Sequence, residues 1–153
     1  MPKVSIIILT YNSSLYISDL IKSINAKNPN AHDYEIIIID NASTDDTLKK
    51  IEPFNDEIVI KKNESNFGFA KGINEGSRHA KGEYLLFINP DTKFEEGNIN
   101  NLVSIFDKFE NAGIVGGKLV DKKGYAEKSA GQFFGLTQII CARILNPQLI
   151  SEL

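Results

Sequence analysis

The chain has 153 residues, 42% of them hydrophobic and 24% charged, the balance of one globular domain with a real core. A net charge of −3 lacks the basic excess of a nucleic-acid binder, and a single cysteine excludes an internal disulfide or a cysteine-built zinc cage. No apolar run approaches the ~18 residues of a membrane span, and the amino terminus shows no signal-peptide pattern, so a cytoplasmic location is expected.

Residues 4–9, Val-Ser-Ile-Ile-Ile-Leu, are a β-branched run that predicts a buried strand. It stops at Thr10-Tyr11-Asn12-Ser13-Ser14, where Ser13 or Ser14 can cap a helix. Leu15, Ile17, Leu20, Ile21 and Ile24 then recur at helical spacing as far as Lys27, and Asn28-Pro29-Asn30 ends the segment. A second strand over 34–39 runs into Asp40-Asn41, and Ser43 with Asp46 three residues on resembles a capping box. A short strand at 58–60, a loop through Asn66-Phe67-Gly68, a helix over 69–80 and a strand over 83–88 follow. Leu102, Ile105, Phe106 and Phe109 mark a fourth helix, and a further strand is expected over 114–120 around Gly116-Gly117.

Alternation of strands and helices predicts an α/β fold, a Rossmann-like three-layer α/β/α sandwich on a mostly parallel sheet. Ligands bind beyond the carboxyl ends of such strands. Thr10-Tyr11-Asn12, Asp40-Asn41 and Asn89-Pro90-Asp91 all fall there. Asp40 suits either a hydrogen bond to a ribose or base, or a local Asx-turn. Asp91 suits either a divalent cation that bridges phosphate oxygens, or the turn chemistry of Pro-Asp. Asn89 can add a carbonyl ligand or shape the same turn. Gly68, Gly72 and Gly76 are spaced by four, which fits no dinucleotide or P-loop pattern and instead gives a helix a smooth stripe for packing on the sheet. Lys71 can approach a phosphate or stay solvated. His32 and His79 lack zinc spacing, and no Gly-x-Ser-x-Gly elbow is present.

Four ordered blocks together resemble the inverting family 2 glycosyltransferases of the GT-A fold. They are residues 4–12 ending Thr10-Tyr11-Asn12, residues 38–45 with Asp40-Asn41-Ala42-Ser43, residues 66–74 with Asn66-Phe67-Gly68-Phe69-Ala70, and residues 84–92 with Asn89-Pro90-Asp91. The wording of the last two is similar to the rhamnosyltransferase-like branch, which decorates bacterial surface polysaccharides. The resemblance implies a nucleotide-sugar site in which Thr10, Tyr11 and Asn12 lie at the base and Asp40 with Asn41 holds base or ribose. Lys71 and Asn74 would lie beside the diphosphate or sugar, with Asn89 and Asp91 at the cation. Asp91 is the metal ligand so implied, for Mn²⁺ or Mg²⁺. The donor would be UDP- or dTDP-linked and the acceptor a glycan or lipid-linked sugar, with the protein free in the cytoplasm or peripheral at the inner face of a membrane.

The sequence departs from this pattern in two ways. Asn89 stands where the family's metal motif has its first Asp, which weakens cation affinity. The carboxylate base of the family lies in a Glu-Asp pair, and no such dipeptide occurs here. The expected layout is therefore a donor-binding part over 1–122 and an incomplete acceptor region over 123–153. The apolar positions Leu136, Ile139, Ile140, Ile144 and Leu145 form a helical face whose exposure would favour a homo-oligomer. A binding module without catalysis is the alternative. A nucleotidyltransferase ranks below both, since the loop after the first strand has neither glycine nor lysine.

Overall fold

Four apolar runs become four parallel strands; the two central ones are buried on both faces, as a covered parallel sheet requires, while the two at the edges keep part of one face exposed. The computed structural model describes residues 1–30, 33–121 and 123–127. Its strands are β1 (Val4–Thr10), β2 (Tyr34–Asp40), β3 (Ile58–Lys62) and β4 (Tyr84–Ile88), in the spatial order β3-β2-β1-β4. Helices α1 (Ile17–Lys27), α2 (Thr47–Ile51) and α3 (Phe69–Arg78) lie in the crossovers between successive strands, and α4 (Ile99–Lys108) follows β4. Thr10 pairs with Asp40 and Asp40 with Lys62, so the ends of β1, β2 and β3 are level. Ile8 pairs with Ile88, which brings the Asn89-Pro90-Asp91 turn to the same edge. This is the expected α/β architecture.

The two faces of β1 and β2 have different partners. Ile6, Ile8, Ile36 and Ile38 pack with Ile17, Leu20, Ile21 and Ile24 of α1, Ile51 of α2, and Ile99 and Val103 of α4. Each such side chain contributes about 1.5–3 kcal/mol when fully buried. On the other face α3 lies over β1 and β2. Its glycine stripe lets it come close: a Cβ on Gly76 would sit 2.5 Å from Ile7 Cγ2, and one on Gly72 would collide with Leu9 Cδ1. β4 lies at the edge of this sheet, and Leu85 and Phe87 remain 44% and 48% exposed.

Several local expectations are corrected. Helix α1 starts at Ile17, and neither Ser13 nor Ser14 caps it with a side chain. The Ser13 carbonyl instead accepts from the amides of Tyr16 and Ile17, a turn that leaves Leu15 exposed. Ser43 and Asp46 form no capping box; Ser43 bonds Asp40, and it is Asp45 that accepts from the Thr47 amide. Helix α3 stops at Arg78, and α4 stops at Lys108 with Phe109 exposed. A true capping box occurs where none was expected, between Asn98 and Asn101 at the start of α4.

No ladder forms over 114–120 among the described residues. The chain divides into two units, Met1–Val115 and Gly116–Leu153. In the second, Val120 makes an isolated antiparallel bridge to Ala126 around a turn with Gly124 at φ 82°. Two adjacent glycines supply no side chains for a sheet to pack and lose the most backbone entropy on ordering. The apolar face expected over 136–145, and the self-association drawn from it, lie outside the described residues. Among the described residues no helix is long and apolar enough to cross a membrane.

Candidate functional site at the carboxyl edge of the sheet

Strand order reverses beside β1: β2 and β3 extend to one side, and β4 is laid on the other. The crevice at such a switch point, outside the carboxyl ends of the strands, is where open α/β sheets hold ligands. Tyr11 leaves β1 on one side of it, and Asn89 to Asp91 leave β4 on the other.

The β1–β2 side is cross-linked. Thr10 Oγ1 donates to Asp40 Oδ1 at 2.9 Å, while the Ser43 amide and hydroxyl donate to Asp40 Oδ2 and Oδ1 at 3.0 and 2.5 Å. Asp40 is only 1% exposed, so its carboxylate acts as the acceptor of an Asx-type turn. Asn12, at φ 51°, donates its amide to Ser43 Oγ at 2.9 Å and accepts at Oδ1 from the Thr44 amide at 2.9 Å. The Ser13 amide donates to Thr47 Oγ1 at 2.7 Å, and the Ser14 amide to Asp45 Oδ2 at 3.1 Å. Partial desolvation works against ionisation of Asp45, but hydrogen bonds from Thr47 and Ser14 outweigh it and hold this carboxyl well below the usual range.

The side formed by α3 and β4 is open. Tyr11 is 51% exposed, and Lys71, Asn74, Asn89 and Asp91 are also exposed. Lys71 Nζ stands 3.6 Å from the centre of the Phe67 ring, a cation–π contact that leaves the ammonium accessible. The Asn89 carbonyl accepts from the Thr92 amide at 3.2 Å and from its hydroxyl, which closes the turn. Among the described residues no hydrogen bond or ion pair occupies the Asp91 carboxylate, and the neighbouring Lys93 is paired with Glu95 at 3.3 Å.

The residues expected at the site fall into two groups. Thr10, Asn12, Asp40 and Asn41 carry scaffold bonds; Tyr11, Lys71, Asn74, Asn89 and Asp91 have exposed side chains. Ser43, Thr47 and Asn63 also hold this corner together; Ser43 was expected only as a helix cap, and Thr47 and Asn63 were not expected at all. The signal for those two was a Ser/Thr/Asn-rich composition in the loops, which any turn shares. A cavity of about 140 Å³ lies elsewhere, between the end of α1 and the start of α4. Its Asn28 is spoken for, donating to the Ile24 carbonyl and accepting from the Ile99 amide at 2.8 Å each.

Asp91 is the exposed carboxylate at this switch point, and no group of three His, Cys, Asp or Glu side chains converges among the described residues. That donor set fits a hard divalent ion completed by diphosphate oxygens and water, not a cage built by protein alone.

The profile of the family described as Glycosyl transferase family 2 matches residues 5–150. The chain belongs to this family. It is similar to the poly(ribitol-phosphate) beta-N-acetylglucosaminyltransferase TarS of Staphylococcus aureus, 28% identical over 111 residues that make up 71% of this chain and 19% of that protein. Crystal structures of S. aureus TarS 1-349 with UDP and with UDP-GlcNAc match with TM-scores of 0.65 and 0.64, at 28% and 29% identity. Each match covers 71% of this chain, and 33% and 32% of the respective TarS chains. The mannosyltransferase PcManGT of Pyrobaculum calidifontis, solved with GDP-Man and Mn2+, shares the fold at a TM-score of 0.61 and 23% identity, over 73% of this chain and 33% of that one. The chain therefore spans about a third of the solved relatives and a fifth of full-length TarS.

Proposed function

We propose that these residues form the donor-binding part of an inverting glycosyltransferase that takes a UDP- or dTDP-linked sugar and serves bacterial surface polysaccharide synthesis. The observation that carries the reading is the exposed Asp91 carboxylate at the switch point, unpartnered among the described residues, on the same sheet edge as Tyr11, Lys71 and the amino end of α3. Support comes from the UDP and UDP-GlcNAc held by TarS, and from its role on poly(ribitol-phosphate).

In this reading Tyr11 offers an exposed ring to the base, and the cross-linked turns at Asp40 and Asn12 fix where that ring stands. Asp40 and Thr10 then act through their own hydrogen bond, keeping the floor of the site rigid. Lys71 and the free amides in the first turn of α3 complement the diphosphate charge. Asn74, one turn further on, lies within reach of the sugar side. Asp91, with the Asn89 turn behind it, would hold Mn²⁺ or Mg²⁺, which supplies neutralisation of charge on a departing diphosphate. The acceptor, a glycan or lipid-linked sugar, approaches from the opposite face of the anomeric carbon and needs a carboxylate to take its proton.

No Glu-Asp pair occurs in these 153 residues, and we expect them alone to bind donor without efficient transfer. Acceptor-dependent turnover by this chain, lost in Asp91→Ala, would overturn that expectation. The donor reading itself is tested by calorimetric titration with UDP and dTDP sugars, with and without Mn²⁺. Binding of one series, tightened by the cation, is expected; failure to bind either would sink the assignment.

A further inference from the structure

Asn41 is 1% exposed, yet it sits at the end of β2 on the edge where the donor is proposed to bind. Its side chain is already full. Nδ2 donates to Asn66 Oδ1 at 3.1 Å and to the Gly68 carbonyl at 3.3 Å, while Oδ1 accepts from Asn63 Nδ2 at 2.7 Å. The orientation of this amide follows from the backbone. The Gly68 carbonyl can only accept, so the atom facing it is a nitrogen. The Gly68 amide donates to Asn66 Oδ1 at 2.9 Å, which fixes Asn66 in turn.

These bonds meet at the junction of a loop and a helix. Gly68 lies at φ 81°, ψ 172°, a region open essentially to glycine alone, and its carbonyl is also the first acceptor of α3, from the Gly72 amide at 3.2 Å. The Asn63 amide ties the loop's other end to the Asp40 carbonyl at 2.8 Å. Between the two ties stands Phe67, whose ring carries Lys71.

We infer that Asn41 is a positioning residue: with Asn63 and Asn66 it clamps loop 63–68 to the sheet, and so sets where Phe67, Lys71 and the first turn of α3 stand. This rests on the donor-site reading for its functional effect, though not for the clamp itself. The decisive variant is Asn41→Asp. It keeps the shape and can still accept from Asn63, but it turns acceptors toward Asn66 Oδ1 and the Gly68 carbonyl. A residue that accepted a hydrogen bond from the base would tolerate Asp or bind better. A clamp would open.

Hydrogen exchange of residues 63–70, followed by mass spectrometry without ligand, reads the clamp, and calorimetry with UDP reads its consequence. Exchange at least about tenfold faster in 63–70, with β1 and β2 unchanged and UDP bound at least about tenfold more weakly, is the expected result. Asn66→Ala, which leaves β2 intact, should shift both readouts in the same direction and serves if Asn41→Asp does not fold. Unchanged exchange over 63–70 in the variant that folds overturns the proposal, whatever happens to UDP. Should the unaltered chain bind no UDP, the donor reading falls, and the exchange measurement still decides the clamp.

Discussion

The two corners of the sheet's carboxyl edge are built on opposite plans. At the ends of β1 and β2, two loops about 30 residues apart in sequence are tied by bonds of Asn12, Ser13 and Ser14 to Ser43, Thr44, Asp45 and Thr47. Beyond α3 and β4 the polar side chains are exposed, and Asp91 is unpartnered among the described residues. A site needs both. Groups that must meet a ligand have to stay free of internal partners, and free groups are held in place only if the backbone beneath them is fixed by others. Composition does not separate the plans, since both corners are rich in Asn, Asp, Ser and Thr. Only the count of bonds each side chain already makes does so.

The comparison is tested most severely at Asp40. Asp40→Ala leaves Thr10 Oγ1 and the Ser43 donors without their buried acceptor, and should cost about 3 kcal/mol in urea unfolding. A cost under ~0.5 kcal/mol would mean that the corner is not braced through this carboxylate. Helix α3 joins the two corners, and its seat should be nearly as sensitive. Gly76→Ala is expected to destabilise by about 2 kcal/mol, because the new methyl meets Ile7 in the buried sheet. Gly72→Ala should cost less, since it meets the far end of the flexible Leu9 side chain.

Asp45 predicts a dependence on pH. Its carboxyl titrates lower in the folded chain than its ordinary value of 3.8, so its contribution is present above that value and fades as pH falls below it. Acid unfolding of Asp45→Asn should therefore show a shallower slope below pH 3.8 than the unaltered chain. Parallel curves would remove Asp45 from the brace. The smallest effect on stability belongs to Asp91→Ala, within about 0.5 kcal/mol, as for an exposed side chain without partners among the described residues. The same change should abolish any tightening of UDP binding by Mn²⁺. A large loss of stability there would erase the distinction between the corners.

The strands and the edge were legible in the sequence because they follow from period and from turn chemistry. Continuous Ile runs at 6–8 and 36–39 can be satisfied only by burial on both faces, and an Asp or Asn after such a run falls at its carboxyl end. The glycine stripe on α3 was legible for a similar reason, being set by helical spacing alone. Helix starts were less so: Ser13 and Ser43 read as caps, but the Ser13 hydroxyl donates to the Tyr11 carbonyl, and the Ser43 hydroxyl donates to Asp40 while accepting from the Asn12 amide of the other loop; a cap forms only where nothing better competes. The segment at 114–120 read as a strand, yet Ile114 is 93% exposed and pairs with no neighbour among the described residues, because a strand exists only beside another strand.

The sequence by itself determined the α/β alternation, the family, and the set of polar residues at one edge, since all of these rest on local spacing. What only the tertiary structure decided is which of them remain free. Asp40 and Asp91 each follow an apolar strand and look alike in the sequence. One is enclosed by Thr10 from a neighbouring strand and Ser43 from its own turn, the other faces solvent, and that difference arises from long-range hydrogen bonding that spacing does not record.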